Sequence, residues 1–503
     1  MNRQDTMQLR DHAGSTKAAV LLAPSGTVVT FADLEARANR MAHFLRRAGL
    51  APGDTIAVLM ENNEHIHAAM WAARRSGLYY TLVNTHLSAA EVAYIVTDSG
   101  AKAVLSSSAM RPLCEQLSTS ELAAAVVVDD DLDGWQRYPD CVAGEPETPI
   151  ADECDGLLLQ YSAGSTGRPK GIRRPLSSAS PKLTTPVFEA LGVTEDAVYL
   201  SPAPTYHTAP AMWTMAAQAV GATTVVMERF DAELTLESIE RYGVTHAQFV
   251  PSMFVRMLRL PHKTRRRYDL SSLQRVVHAA APCPPDIKRQ MIDWWGPIVD
   301  EYYGSSEGAG ISFIRAEEWL ERPGSVGKPM LGEPHILDEH GIELPVGEIG
   351  EIFYGGGYPF EYLNDQAQTM NSRSAEGWVT VGDVGYVDGD GYLYLTDRRN
   401  HMIISGGVNI YPQETENMLI SHPLVVDAAV FGIPDDVMGQ AVKAVVQLTD
   451  PARASADLAA DLMTWLRDRL AHYKCPRSIS FEAQLPRTDA GKLYKQRLID
   501  KYS

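Results

Sequence analysis

The sequence predicts an α/β protein with a large N-terminal domain of doubly wound βαβ subdomains, a small β-barrel-like piece and a small α+β C-terminal domain. Apolar strand patterns alternate with helix patterns from residue 30 to about residue 303, which favours parallel βαβ units. Short β runs with Gly, Pro and Asp turns then fill about 320–395. The 503 residues exceed one compact core. A polar boundary at 397–400 divides the chain into predicted domains 1–397 and 398–503.

The first predicted helix spans residues 30–49. Thr30 caps it, Asp33 completes a capping box, and Gly49 ends it after an apolar stripe. The next predicted elements alternate between strand and helix: strand 55–60, helix 64–77, strand 79–83, helix 88–98 and strand 102–106. Later strands are predicted at 223–228, 245–250, 275–279 and 298–303, and the C-terminal domain is predicted to hold helices near 412–421 and 456–471 with strands at 425–432 and 443–448.

Composition limits the functional class. A net charge of −18 argues against a nucleic-acid-binding surface, which needs clustered Lys and Arg. The five cysteines are scattered and lack metal-type spacing, which is typical of reduced thiols in a cytoplasmic protein. The N-terminus has no signal-like apolar region, and no stretch is long and apolar enough for an integral membrane segment. A homo-oligomer remains possible.

The stretch 161–171, YSAGSTGRPKG, carries the strongest chemical signal. Its glycines let the backbone turn N–H groups toward an anion, its hydroxyls add donors, and Lys170 adds a point charge. The spacing differs from the common P-loop, in which Lys directly follows Gly. We therefore predict a strand–loop–strand frame that holds a polyphosphate. The residues predicted to bind ATP here are Ser162, Gly164, Ser165, Thr166, Gly167 and Lys170.

Several further motifs follow this loop in a fixed order. They are HAAAPCP at 278–284, EYYGSSEG at 301–308, WVTVGDVG at 378–385, DRRNHMIISGGVNIYPQETE at 397–416 and PRTDAGKLYK at 486–495. With the loop, they resemble the adenylate-forming superfamily of acyl-CoA synthetases, adenylation domains and firefly-type luciferases. The resemblance spans about residues 25–497.

The resemblance implies two half-reactions with ATP, Mg²⁺ and coenzyme A. A carboxylate attacks the α-phosphorus of ATP to give acyl-AMP and pyrophosphate, and a thiol then takes the acyl group. It implies catalytic roles for Lys492, which bridges the carboxylate and the α-phosphate, for Thr166 on the β- and γ-phosphates, and for Glu307 on the metal. The other implied AMP-binding residues are Ala281, Pro282 and Tyr303 around adenine, Gly304 and Ser306 near the α-phosphate, and Asp383 and Arg398 on the ribose.

The resemblance also implies an acyl pocket and a moving domain. The pocket residues are His207, Phe249, Ala279, Ala280 and Gly308. Their apolar, roomy mixture predicts a hydrophobic acid: a fatty acid of medium or long chain, an aryl acid or an alicyclic acid. Gly406 and Gly407 are implied to leave a passage for the pantetheine arm of CoA, and Asn400 is implied to be the hinge of a mobile C-terminal domain, where relatives usually carry Asp or Lys.

Other functions share parts of this pattern. Adenylation followed by transfer to a carrier protein uses the same motifs, as does a luciferase-type oxygenase. A nucleotide-binding sensor is disfavoured because the implied catalytic residues are present. A serine hydrolase is a remote alternative, because residues 304–308 satisfy G-x-S-x-G with Ser306 as nucleophile, but it leaves the 161–171 loop unexplained.

Overall fold

The computed structural model describes residues 8–162, 169–180, 182–406, 408–435, 437–487 and 493–502, and of Asn400 it describes the backbone alone. The first elements are β1 Ala18–Ala23, β2 Val28–Thr30, α1 Phe31–Arg47, β3 Thr55–Leu59, α2 Ile66–Arg75, β4 Tyr79–Leu82, α3 Ala89–Asp98, β5 Ala101–Ser106, α4 Arg111–Cys114, β6 Ala124–Val127, β7 Gln136–Arg137, α5 Tyr138–Val142 and β8 Leu157–Leu158.

The middle of the chain alternates strands and helices. The elements are β9 Gln160–Ser162, β10 Lys170–Arg173, α6 Pro186–Leu191, β11 Val198–Ser201, α7 Thr208–Ala219, β12 Thr223–Met227, α8 Ala232–Tyr242, β13 His246–Phe249, α9 Pro251–Leu258, α10 His262–Arg265, β14 Arg275–His278, α11 Pro285–Trp295 and β15 Val299–Gly304.

The remaining elements are mostly strands. They are β16 Ile311–Ile314, α12 Ala316–Glu321, β17 Ser325–Leu331, β18 Glu333–Leu337, β19 Gly350–Gly355, β20 Glu361–Tyr362, α13 Gln366–Asn371, β21 Val379–Val387, β22 Leu393–Arg398, β23 Ile403–Ser405, β24 Val408–Ile410, α14 Pro412–Ser421, β25 Val425–Asp435, β26 Gly439–Leu448, α15 Ala456–Arg467, β27 Ser478–Glu482 and α16 Lys495–Tyr502.

The predicted α/β class and the alternation of elements are confirmed. One sheet has six strands in the order β7-β6-β5-β3-β4-β8, all paired in parallel. A larger sheet of 13 strands has a parallel centre formed by β1, β12, β11, β13, β14 and β15. The β-rich piece, predicted as barrel-like, consists of antiparallel strands that continue this sheet in the order β16, β17, β22, β21, β19 and β18.

Helix α1 shows how the local sequence fixes an element. The predicted capping box is present, because Thr30 accepts a hydrogen bond from the Asp33 backbone N–H at 3.0 Å and Asp33 accepts one from the Thr30 N–H at 3.4 Å. Leu34, Met41 and Leu45 are at most 1% exposed and pack into the core between the two sheets. An amphipathic stripe of this kind supplies most of the stability of a surface helix.

The C-terminal part has a sheet and a core of its own. Its strands run in the order β24-β23-β26-β25, with β27 paired to β26, and α14 and α15 supply core residues such as Leu419 and Leu466. The C-terminal part contacts the larger N-terminal part through Arg259, which follows α9. The Arg259 side chain donates a 2.7 Å hydrogen bond to the Val425 carbonyl. The boundary at 397/398 stays a prediction. In the described part of the chain, no helix is long and apolar enough to cross a membrane.

A buried histidine in α2 predicts acid sensitivity. His67 is 1% exposed, and neither ring nitrogen has a hydrogen-bond partner among the described residues. Burial therefore lowers its pKa from 6.5 to about 4. Because the unfolded state then binds more protons between these values, stability is complete above pH 6.5 and falls as the pH drops toward 4. The full loss corresponds to about 3 kcal/mol.

The measurement is the free energy of unfolding in urea at pH 7.5 and pH 5, for the parent and for His67→Leu. We expect the parent to lose about 2 kcal/mol more than the variant over this interval. Equal losses in both proteins would show that His67 does not set the acid response.

Candidate active site

The predicted site residues lie where several parallel strands end. Phe249 of β13 is paired with His278 of β14, and His278 is paired with Glu301 of β15. The segments that follow these strands therefore leave the sheet at one edge. In open α/β sheets, ligands bind in the crevice beyond the carboxyl ends of the strands. This edge brings the 279–282 segment next to the 304–308 segment.

Tyr303, Asp383 and Arg398 form one hydrogen-bonded group. The Tyr303 hydroxyl donates to Asp383 Oδ2 at 2.5 Å, and Arg398 Nε lies 3.0 Å from Asp383 Oδ1. The pairing of β21 with β22 sets Asp383 opposite Arg398, and β15 delivers Tyr303. The sequence separates Tyr303 from Asp383 by 80 residues, so only the sheet topology joins them.

The Asp383 carboxylate acts on both of its hydrogen-bonding partners. Asp383 is 6% exposed. The Asp383 carboxylate raises the pKa of Arg398, and burial followed by Asp383 raises the pKa of Tyr303 well above its ordinary value. Tyr303 therefore stays a hydrogen-bond donor at neutral pH. Each carboxylate oxygen of Asp383 keeps a lone pair that can accept a hydroxyl proton, which is what a ribose diol requires.

A second group surrounds Glu307. The Tyr362 hydroxyl donates to Glu307 Oε1 at 3.0 Å, and Lys170 Nζ lies 6.0 Å from the centre of the Tyr362 ring while donating to Gln368. Tyr362 is in β20, which pairs with β10 next to Lys170. Burial lowers the pKa of Lys170, against the charges of Asp365 and Glu307. The predicted phosphate lysine and the predicted metal carboxylate therefore share one neighbour, Tyr362.

The strand–loop–strand frame of the 161–171 stretch is confirmed. Strands β9 and β10 pair antiparallel, with Ser162 opposite Lys170. Four predicted ATP-binding residues lie outside the described residues: Gly164, Ser165, Thr166 and Gly167. Lys170, at the start of β10, contacts the Tyr362 ring, and the Tyr362 hydroxyl donates to Glu307, so this strand end lies near Glu307.

The surroundings of Ser306 disfavour the hydrolase alternative. Its hydroxyl lies 2.9 Å from that of Thr208, the first residue of α7. The G-x-S-x-G stretch is followed by strand β16, whereas a nucleophile elbow leads into a helix. His207, at the N-cap of α7, precedes Thr208 and is thereby brought close to Ser306.

The acyl-pocket prediction needs one correction. The Phe249 ring is 1% exposed and packs 5.6 Å from the rings of Phe254 and Trp295 in the core, so its side chain does not face the sheet edge. Its carbonyl accepts the Ala279 N–H at 3.3 Å. The neighbouring Gln248 faces the other side, because successive strand residues alternate.

Gln248 and Tyr302 form a hydrogen-bonded pair that the sequence pattern does not single out. Gln248 Nε2 donates to the Tyr302 hydroxyl at 2.8 Å, and the Tyr302 ring stacks on Trp213 of α7 with centroids 5.3 Å apart. The period-two alternation of β13 puts the side chains of Gln248 and Phe249 on opposite faces of the sheet.

The 279–282 segment, which holds predicted acyl-pocket and adenine-binding residues, has an unusual backbone. Ala280 has φ = 74° and is exposed, Ala281 is partly buried, and Pro282 is exposed. A non-glycine residue in the left-handed region is strained, and such strain is concentrated at functional sites. Ala279 is 4% exposed, and Gly304 ends β15 beside this segment.

The C-terminal residues are described in part. Gly406 has φ = 58°, a left-handed backbone conformation that favours glycine, and it lies against the flexible end of the Met438 side chain. Gly407, the Asn400 side chain and Lys492 lie outside the described residues. The base of the Lys492 segment is held by the pairing of Arg487 with Leu493 and by a hydrogen bond from the Tyr494 N–H to the Pro486 carbonyl at 2.8 Å.

Ion pairs anchor both ends of this segment. Arg487 donates to both carboxylate oxygens of Asp427, with Nη2 2.6 Å from Oδ1. Lys495 Nζ lies 2.7 Å from Glu416 Oε1, with both side chains at most 7% exposed. Buried pairs of this kind fix geometry strongly, since removing one partner leaves an uncompensated charge.

The site offers one carboxylate for a metal. No group of three or more His, Cys, Asp or Glu that could hold a metal is found in the described ranges. Glu307 uses one oxygen to accept from Tyr362. Mg²⁺ in nucleotide sites takes one or two carboxylates and fills its shell with phosphate oxygens and water, so the donor set fits Mg²⁺ that arrives with ATP.

Comparison with known proteins gives a consistent result. The family model for AMP-binding enzymes matches residues 9–361, and the model for the AMP-binding enzyme C-terminal domain matches 414–492. A feruloyl-CoA synthase from Amycolatopsis sp is 33% identical over 93% of both chains. A 2-succinylbenzoate–CoA ligase from Bacillus licheniformis is 32% identical over 97% of this chain and 100% of that one.

A solved structure extends the similarity to three dimensions. It is o-succinylbenzoate CoA synthetase (MenE) from Bacillus subtilis in complex with the acyl-adenylate intermediate OSB-AMP. The TM-score is 0.80 at 29% identity, and the alignment covers 97% of each chain.

Proposed function

This chain belongs to the AMP-binding enzyme family of the adenylate-forming superfamily and is an acid–CoA ligase, and we propose that it activates a hydrophobic carboxylic acid through the residues described above. In the first half-reaction a carboxylate oxygen bonds to the α-phosphorus of ATP and the bond to pyrophosphate breaks. In the second, the CoA sulfur bonds to the acyl carbon, the bond to AMP breaks, and the thiol proton is released.

One observation carries the assignment of the nucleotide site. Tyr303, Asp383 and Arg398 come from three strands yet form a single hydrogen-bonded group at the sheet edge. In our proposal the Asp383 carboxylate accepts the ribose hydroxyls, Arg398 donates to the same sugar, and the Tyr303 ring covers one face of adenine. Ala281 and Pro282 cover the other face.

The phosphates and their metal belong to the second group. Lys170 neutralises β- and γ-phosphate charge, and the hydroxyls of Ser165 and Thr166 donate hydrogen bonds to the same phosphates. Glu307 would hold Mg²⁺, which supplies further positive charge when bound with ATP. Ser306 contacts the α-phosphate region with its hydroxyl. Lys492 bridges the acid carboxylate and the α-phosphate, because attack of one anion on another requires positive charge in a fixed position.

The second half-reaction uses the C-terminal domain. We propose that rotation about Asn400 withdraws Lys492 and brings Gly406 and Gly407 to the acyl-AMP, where they admit the pantetheine thiol. CoA is favoured over a carrier protein as acceptor because the two relatives named above are a CoA synthase and a CoA ligase. Aryl acids are favoured over fatty acids on the same ground.

The test is acid-dependent ATP–pyrophosphate exchange across fatty, aryl and alicyclic acids, followed by CoA consumption with the best acid. We expect exchange that requires both acid and Mg²⁺, and stoichiometric loss of free CoA thiol. Exchange without loss of CoA thiol would move the acceptor to a carrier protein. Ester hydrolysis without ATP, abolished by Ser306→Ala, would contradict the assignment.

A further inference from the structure

A second cation, Arg174, follows the strand that begins with Lys170. Because β10 covers Lys170–Arg173, Arg174 stands four residues beyond Lys170 on extended chain, about 13 Å away. The Tyr79 hydroxyl fixes its backbone by donating to the Arg174 carbonyl at 2.7 Å. The strand direction therefore carries Arg174 away from the phosphate loop that precedes Lys170.

The Arg174 guanidinium lies against the residues that follow β15. Its Cζ is 4.8 Å from the centre of the Tyr358 ring, and Nη2 is so close to Gly308 that a Cβ there would approach it to 2.3 Å. The Tyr358 N–H donates to the Gly308 carbonyl at 3.0 Å, which fixes the Tyr358 backbone beside Gly308. Glycine at position 308, with φ = 69°, is thus what makes room for this cation.

The guanidinium has more donors than partners. Its one hydrogen bond to a described residue runs from Nη2 to the Ser306 carbonyl and is long, at 3.4 Å. Within the described ranges no carboxylate forms an ion pair with it, although it has five N–H donors and is only partly exposed. Burial lowers the pKa of Arg174, and the charges of Tyr358 and Glu307 oppose this effect. A desolvated cation in this position is stabilised by an incoming anion.

The position of Gly308 indicates which ligand carries that anion. Gly308 is a predicted acyl-pocket residue that lies against the Arg174 guanidinium, whereas Lys170, the predicted phosphate lysine, contacts Tyr362 and Gln368. In the proposed function, Lys170 and the 161–171 loop bind the ATP phosphates. The Arg174 guanidinium beside Gly308 therefore faces the acid.

We propose that Arg174 is a specificity-determining residue that binds a second anionic group on the acid, so that the substrate is an apolar acid carrying an additional carboxylate or comparable oxyanion. The planar guanidinium can pair with such a group through two parallel N–H donors, which neither Lys nor a neutral side chain reproduces. This inference rests on the proposed acid-activating function and narrows its substrate class.

The test compares acids that differ by one carboxylate. Octanedioic acid is paired with octanoic acid, and para-carboxyphenylpropanoic acid with phenylpropanoic acid, in the exchange assay. We expect the parent to favour the dianionic member of a pair by about 10- to 100-fold in kcat/KM, the range for a charge-assisted hydrogen-bonded pair. Arg174→Leu should lose this preference, and Arg174→Lys should keep a small part of it.

Arg173→Gln is the matched control. Arg173 is the preceding residue, but its Cζ lies 4.9 Å from the centre of the Tyr79 ring, away from Gly308. It should retain the parental preference. Circular dichroism and the unfolding midpoint establish that each variant is folded, and Arg174→Gln replaces Arg174→Leu if the latter does not fold.

The outcomes separate three cases. The same preference in the parent and in Arg174→Leu, or none in either, would overturn the inference while leaving acid activation intact. A rise in KM for ATP or pyrophosphate that is equal for all acids would assign Arg174 to a nucleotide phosphate and overturn it. No exchange with any acid in any variant would overturn the proposed function and this inference with it.

Discussion

Replacement of Lys492 by alanine is expected to reduce acid-dependent ATP–pyrophosphate exchange by about 100- to 1,000-fold. The expected loss is confined to the first half-reaction, because a cation between carboxylate and α-phosphate is needed only while two anions approach each other. Thioester formation from supplied acyl-AMP and CoA should stay within about threefold of the parent, since the thiol attacks a mixed anhydride that is already activated.

Lys501→Ala is the matched control for this variant. Lys501 is another lysine of the same C-terminal segment, but its side chain is 57% exposed and pairs with Glu482 at the surface. Surface pairs contribute little, so both half-reactions should keep their parental rates. Equal loss of exchange and thioester formation in Lys492→Ala would remove the proposed role of Lys492.

A comparison with Lys495 explains why substitution of Lys492 is expected to change activity without destabilising the domain. Lys495 lies three residues further on, is 7% exposed and pairs with buried Glu416, so its replacement would leave a buried charge and destabilise the domain. The backbone pairing of Arg487 with Leu493 joins the two residues that flank the Lys492 segment. We therefore expect substitution at Lys492 to leave the rest of the domain unchanged.

Local sequence signals predicted the elements well. The capping box at Thr30 and the strand–loop–strand frame around Lys170 were confirmed, because both depend on residues near in sequence. The β-rich piece at about 320–395 was predicted from its turns, yet its continuity with the parallel sheet was not, because that continuity depends on the pairing of β16 with β15. Sheet continuity is a long-range property that turn chemistry does not encode.

The site was predicted as a set of residues but not as a geometry. Asp383 and Tyr303 were assigned separate duties, and their direct hydrogen bond arises from two distant strands. Tyr362 was missed because it lies in a two-residue strand that carries no pattern of its own. Phe249 was placed in the acyl pocket by position along the chain, whereas strand alternation turns its ring into the core.

Replacement of Asp383 by alanine is expected to weaken both half-reactions by about 100- to 1,000-fold. The ribose is part of ATP in the first step and of acyl-AMP in the second, so both lose the same two acceptors. The variant also leaves the Tyr303 hydroxyl and Arg398 without their partner, which adds the cost of unpaired buried donors.

The measurement pairs exchange kinetics over a range of ATP concentrations with thioester formation over a range of supplied acyl-AMP. Asp390→Ala is the control, because Asp390 is 68% exposed and pairs with Arg322 at the surface. Unchanged KM values for both nucleotides in Asp383→Ala would place the ribose elsewhere. Because Lys492→Ala should impair only the first step and Asp383→Ala both, the two variants together separate chemistry at the α-phosphate from retention of the nucleotide.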